Sequence, residues 1–289
     1  MLIRLGYELG VEFSQPTTLM TALEIHPERR ADIRWERGLS LNPSLPTSSH
    51  VDAFGNRRRR VHAAAGKLTI RYDAVVKDSG ELDATDRGAR HVPVQELPAE
   101  TLRYLLGSRY CESDHLSPLA WKLFGGIEGG HAKVQAICDY VHERISFGYS
   151  YARCTRTAAQ AYEERVGVCR DFAHLAIAFC RALNIPARYV NGYLGDINVP
   201  VDPAPMDFSA WFEAYVGDDW YTFDARHNVP RTGRVVVARG LDAADVPLIH
   251  TFGPHVLAKF DVWTYEQTQP QSLVPEESNL VSMPLRLTA

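Results

Sequence analysis

Apolar and polar residues alternate at the start of the chain. Ile3, Leu5, Tyr7, Leu9 and Val11 recur every second position, the period of a half-buried strand. Residues 67–76 (KLTIRYDAVV) alternate in the same way. Between the two lie the turn signals Asn42-Pro43 and Phe54-Gly55-Asn56, so the first part reads as a small antiparallel sheet or sandwich. The period then changes. Val134, Ile137, Cys138, Val141 and Ile145 fall at helical spacing, which puts Cys138 in a core. Phe172, Leu175, Ala176, Phe179, Cys180 and Leu183 form one stripe of an amphipathic helix that Asn184 and Pro186 stop. Cys180 belongs to that stripe. His174 lies opposite it, beside Arg170 and Arg181, and is expected on a solvated or interdomain face. A strand over 187–194 follows, then a loop, then a hairpin of 208–216 and 220–225.

The pattern predicts an α+β protein: a β-rich N-terminal domain over 1–95, a core domain over 96–265 and a loosely ordered tail over 266–289. The Gly-, Asp- and Pro-bearing stretch 78–98 reads as the linker. Arg57 to Arg60, the most basic spot, reads as a solvated strand end. There is no internal repeat.

With 289 residues, 45% of them hydrophobic, the chain can bury a sizeable core. A formal net charge of -4 argues against general nucleic-acid binding. No apolar run approaches the roughly 20 residues that span a bilayer, and the N-terminus lacks a signal-peptide core. Five cysteines, an odd number without metal spacing, point to a reduced cytoplasmic compartment. His142-Glu143-Arg144-Ile145-Ser146 imitates HExxH, but Ser146 stands where the second ligand belongs. His250 and His255 lack partners at ligand spacing. There is no P-loop and no GxGxxG after a strand. Neither metal nor cofactor is expected.

Cys169 opens the amphipathic helix just after Gly167-Val168. Free N–H groups there stabilise a thiolate and suit a developing oxyanion. Arg170 and Asp171, in the same turn, read as solvating and capping residues. In the hairpin, a two- or four-residue loop pairs Val216 with Asp219, and therefore Trp211 with Asp224. Ser209 and Asp224 then share a face, roughly 7–8 Å apart. A three-residue loop breaks that parity. The aromatics Trp211, Tyr215 and Trp220 suit either a peptide groove or hairpin packing.

Three stretches carry a family resemblance: GVCRDFAHLAIAFCRALNIPARYVNGYL, AWFEAYVGDDWYTFDARHNVPR and the one beginning GRVVVARGLDAADV. With the tract LPAETLRYLLGSRYCESD and the β-rich first part, the chain resembles bacterial transglutaminase-like proteins of the transglutaminase-like cysteine protease superfamily. The resemblance implies a papain-like core in which a cysteine-bearing helix packs on an antiparallel sheet. It also implies a Cys–His–Asp triad, with Cys169 matching the nucleophile and Asp224 the acid. Many members carry histidine before Ala-Trp, where this chain has Ser209. A serine hydroxyl has no useful basicity near neutral pH. His227, three residues after Asp224, is the favoured substitute base. Two outcomes follow: a hydrolase or acyltransferase acting on amide or peptide bonds through a Cys169 thioester, or an inactive module that holds a peptide or protein. Either way the expected partner is a protein or peptide, not nucleic acid or membrane.

Overall fold

The structure, a computed structural model, describes residues 1–267. Seven strands come first: β1 (Leu2–Phe13), β2 (Thr17–Thr21), β3 (Ile33–Glu36), β4 (Ser40–Asn42), β5 (Thr47–Val51), β6 (Arg57–Ala63) and β7 (Gly66–Lys77). A mostly helical stretch follows, with α1 (Ser113–Phe124), α2 (Gly130–Arg144), β8 (Ser146–Phe147), α3 (Ala158–Glu164), β9 (Val166–Gly167) and α4 (Cys169–Ala182). The chain then forms β10 (Ala187–Tyr193), β11 (Ser209–Val216), β12 (Asp219–Phe223), β13 (Val235–Gly240), β14 (Ile249–Thr251) and β15 (His255–Glu266). The molecule is α+β, with mainly antiparallel sheets and a helix-covered core.

The alternation in β1 does what its period requires: Ile3, Leu5, Tyr7 and Leu9 are all fully buried. β1 lies between two antiparallel neighbours, with Tyr7 opposite Tyr72 of β7 and Val262 of β15. The approach is close enough that a Cβ on Gly6 would meet a Trp263 ring atom and the Tyr72 carbonyl oxygen, each at 2.4 Å. β3 and β4 complete this sheet against β7, and a second sheet runs β14-β2-β6-β5. Both sheets therefore draw a strand from the stretch expected to belong wholly to the core domain. β14 and β15 return to the N-terminal layers.

The core sheet has the order β12-β11-β10-β13. α4 packs across β10 and β11 and touches α1, α2 and α3. Its apolar stripe meets Phe124, Tyr140 and Tyr162 around Phe179 in edge-on ring contacts. Cys138 and Cys180 are buried in this core, as their spacing implies.

One surface expectation is corrected. His174 is fully buried; its Nε2 accepts the Ala243 N–H and its ring stacks on Tyr110. Desolvation then holds its pKa well below the ordinary value. The helix face opposite the stripe is covered by the 108–111 and 241–246 segments, which helical periodicity alone does not reveal. Arg57–Arg60 opens β6 as a strand end with Arg60 exposed, while its other three charges are paired. Arg57 and Arg59 pair with Glu24, and Arg58 pairs with Asp52. The linker stretch 78–98 is mostly exposed and anchored at points: Ala89, Val92 and Leu97 are buried, and the Ala89 carbonyl accepts the N–H groups of Gly130 and His131. Of the expected tail, Glu266 ends β15 and the Gln267 N–H donates to the Leu2 carbonyl; the remainder lies outside the described residues. Among those described, no helix is long and apolar enough to cross a membrane.

Candidate active site

The start of α4 is fixed by its own first turn. The Val168 N–H donates to Asp171 Oδ2 at 2.9 Å, closing the cap from the helix side, and Arg156 Nη1 lies 2.9 Å from the same oxygen. Asp171 is thus the capping residue. Burial raises its pKa while Arg156 and Arg170 oppose the rise. Arg170 turns away to the carbonyls of Arg153 and Cys154. Upstream, β8 and β9 pair in parallel with Phe147 opposite Gly167, and the Gly148 N–H donates to the Gly167 carbonyl at 3.1 Å. This short ladder sets Phe147 and Tyr149 beside the residue that begins the helix, Cys169.

Cys169 is half-buried. Desolvation, with the negative charge of Asp207 next in weight, pushes its thiol up to about 11. Arg226 and the Ala210 N–H, which donates to the sulfur, pull the other way. The helix start therefore does not by itself make a thiolate here. Asp207 is a second perturbed group: its carboxyl is raised to about 6 by desolvation, against the Phe208 N–H and Arg226. Tyr149 is raised to about 12 by desolvation and by Asp207. The Arg226 guanidinium stacks 3.8 Å over the Phe147 ring, so the 224–227 turn reaches the ledge beside Cys169.

The hairpin has the register the two-residue loop requires, with Val216 opposite Asp219 and Phe212 opposite Phe223. Asp224 directly follows the last paired residue of β12, and Trp211 directly precedes Phe212 on β11. The Arg234 guanidinium joins the two positions, stacked 4.9 Å over the Trp211 ring and donating from Nη2 to Asp224 Oδ2 at 2.9 Å. Asp224 Oδ2 also lies 2.8 Å from His227 Nδ1. Its Oδ1 accepts the N–H groups of Arg226 and His227 at 3.0 and 3.1 Å. Burial works to raise the Asp224 carboxyl, but Arg234 and His227 more than offset it and hold it well below the usual carboxylate range.

The four sequence-predicted positions converge only in part. Asp224 and His227 form a hydrogen-bonded pair. Cys169 meets the Ala210 N–H, one residue past Ser209. Ser209 itself lies opposite Gly192, buried, and its hydroxyl has no hydrogen-bond partner among the described residues. No hydrogen bond links Cys169 to His227 or Ser209 among those residues. Trp211 packs with Val190 and Val236, and Tyr215 and Trp220 pack on each other, which is hairpin packing. Sequence pattern missed Asp207, Arg226, Tyr149 and Arg234. Only Arg234 left a trace, as a charge directly before the apolar run Val235–Val237. No three His, Cys, Asp or Glu side chains are grouped to hold a metal among the described residues.

Residues 118–225 match the family model of the transglutaminase-like superfamily. A crystal structure of a candidate cysteine protease from Cytophaga hutchinsonii superposes with a TM-score of 0.81 at 32% identity, covering 96% of this chain and 94% of that one. An uncharacterized protein of Mycobacterium leprae is 37% identical over 83 residues, 28% of this chain and 29% of its own. One from Mycobacterium tuberculosis is 35% identical over 117 residues, 36% of this chain and 37% of its own. The chain thus spans about a third of the length of the curated relatives it matches.

Proposed function

Because this chain belongs to the transglutaminase-like superfamily, we propose that it is a cysteine hydrolase or acyltransferase acting on amide or peptide bonds. Cys169 is its nucleophile and His227 its base, in place of the histidine whose position Ser209 occupies. The observation that carries this reading is the 2.8 Å contact between His227 Nδ1 and the buried Asp224. An acid fixed on one ring nitrogen leaves the other to exchange protons. The Cys169 sulfur attacks the carbonyl carbon and its proton passes to the imidazole. As the C–N bond breaks, the leaving amine takes that proton and a thioester remains. Water or a second amine then attacks the thioester, the C–S bond breaks and the sulfur is reprotonated. The Ala210 N–H supports the sulfur's negative charge, and the Cys169 N–H, at the start of α4, suits a developing oxyanion.

Turnover of carboxamide and peptide substrates tests the scheme. Cys169→Ala should abolish it, and His227→Ala should lower it by about 10²–10⁴-fold, the usual worth of a general base. Full activity in Cys169→Ala ends the proposal. One observation favours the second reading, an inactive module that binds a peptide or protein: the resting thiol is pushed up to about 11. A wild-type protein without turnover, in which Ser209→His creates activity that requires Asp224, would select that reading.

A further inference from the structure

We propose that Arg234 is a positioning residue for the Asp224–His227 pair, and that Asp83, from the strap joining the N-terminal sheets to the core, holds Arg234 in place. The proposal rests on the reading above only in taking that pair as the working one. Arg234 is nearly enclosed, with its side chain 6% exposed. Its fork is divided: Nη2 donates to Asp224 Oδ2 at 2.9 Å, and Nε donates to Asp83 Oδ1 and Oδ2 at 3.1 and 2.9 Å. The Trp211 ring closes its face. Asp83 is fixed in turn. Its carboxylate accepts the Arg231 N–H at 2.9 Å, its own N–H donates to the Arg231 carbonyl at 2.8 Å, and Leu82 bridges Thr232.

Asp224 thus receives four donors: two backbone N–H groups on Oδ1, and Arg234 with His227 on Oδ2. Without Arg234, Oδ2 answers to His227 alone and the carboxylate is freer to turn. A planar guanidinium spans both acids, whereas a lysine ammonium reaches one. Arg234 and Asp83 both lie outside residues 118–225, the stretch that matches the family model. The acid is therefore held from beyond that stretch. Arg231, Cys138 of α2 and Cys169 also interact electrostatically with Asp224.

The test is the His227 ring titration followed by NMR in the full-length protein, with folding verified by circular dichroism and thermal unfolding. Arg234→Gln removes a cation that shares Oδ2 with the imidazole. The His227 midpoint should rise, because a cation beside the imidazole is lost, and Arg234→Lys, which keeps that charge, should raise it less. Asp83→Asn should move the midpoint while Arg234 is present and have no effect in the Arg234→Gln background, because Asp83 acts through Arg234. If Arg234→Gln does not fold, Arg234→Lys replaces it in the same cycle, with a smaller Asp83→Asn effect expected. An unchanged midpoint in folded Arg234→Gln, or an equal Asp83→Asn effect in both backgrounds, overturns the proposal. The titration needs no turnover. An inert Cys169 accompanied by these shifts would remove the proposed activity and leave the role of Arg234 standing.

Discussion

Asp207→Asn should make the Cys169 thiol more reactive. The thiol stands at about 11 against an ordinary 9.0, with desolvation the larger cause and Asp207 the next. Those values cut the thiolate population at neutral pH about a hundredfold. Removing the smaller cause should restore about three- to tenfold of it. A less basic sulfur is intrinsically slower, so the gain in second-order rate should be about two- to fourfold. The effect has a built-in pH signature. Asp207 titrates at about 6, so wild type carries the carboxylate charge above that pH and loses it below. The variant should be faster at pH 8 and indistinguishable below about pH 5. The assay is the rate of reaction with a dipyridyl disulfide in a Cys154→Ser background, since Cys154 is exposed while Cys111, Cys138 and Cys180 are buried. Arg226→Gln should act in the opposite direction, because Arg226 lowers the thiol pKa. Equal rates at pH 8, or a gain that persists below pH 5, would refute the reasoning.

Three further outcomes are expected. Cys180→Ala should cost about 1–2 kcal/mol in urea unfolding as a small core truncation, whereas Cys169→Ala at the half-buried helix start should change stability little. Gly192→Ala should destabilise by about 1–3 kcal/mol, read from the same melts, because its Cβ would meet the Val235 carbonyl oxygen at 2.3 Å and a Trp211 ring atom at 2.7 Å. The stability gap between wild type and Asp224→Asn should be full at neutral pH and narrow in acid. A carboxyl whose folded pKa is depressed contributes above its unfolded value and loses that contribution as pH falls toward the folded one. A gap equal at pH 7 and pH 3 would contradict the ion-pair account of Asp224.

The sequence was most legible where one local period decides the outcome. The α4 stripe, the buried β1 alternation and the Val216–Asp219 pairing all follow from spacing and loop length. They place Cys169 at a helix start and Asp224 just past the end of β12. What escaped depends on contacts distant in sequence. His174 looks solvated on a helical wheel and is buried because Tyr110 and Ala243 arrive from elsewhere. Asp207 sits in an irregular loop with no period to flag it. Arg234 is defined by Asp83, 151 residues away. The same limit explains the core's expected extent: nothing in the composition of 255–266 says that it pairs with the first strand rather than with the nearest sheet.

That pairing sets a schedule for the ribosome. β1 is made first and meets β7 some sixty residues later, but its other edge waits for β15. Glu8 and its partner Lys259 are separated by 251 positions. At about 5–20 residues per second, that edge stays open for roughly 10–50 s while the whole helical core is synthesised. An unpaired strand edge rich in buried-type residues is a template for pairing with another chain. The polar positions of β1, Arg4, Glu8 and Glu12, are the charges that guard it in the meantime. A released chain truncated before residue 255 should therefore be far more prone to aggregate than one that ends at 267, although both contain every residue of the candidate site.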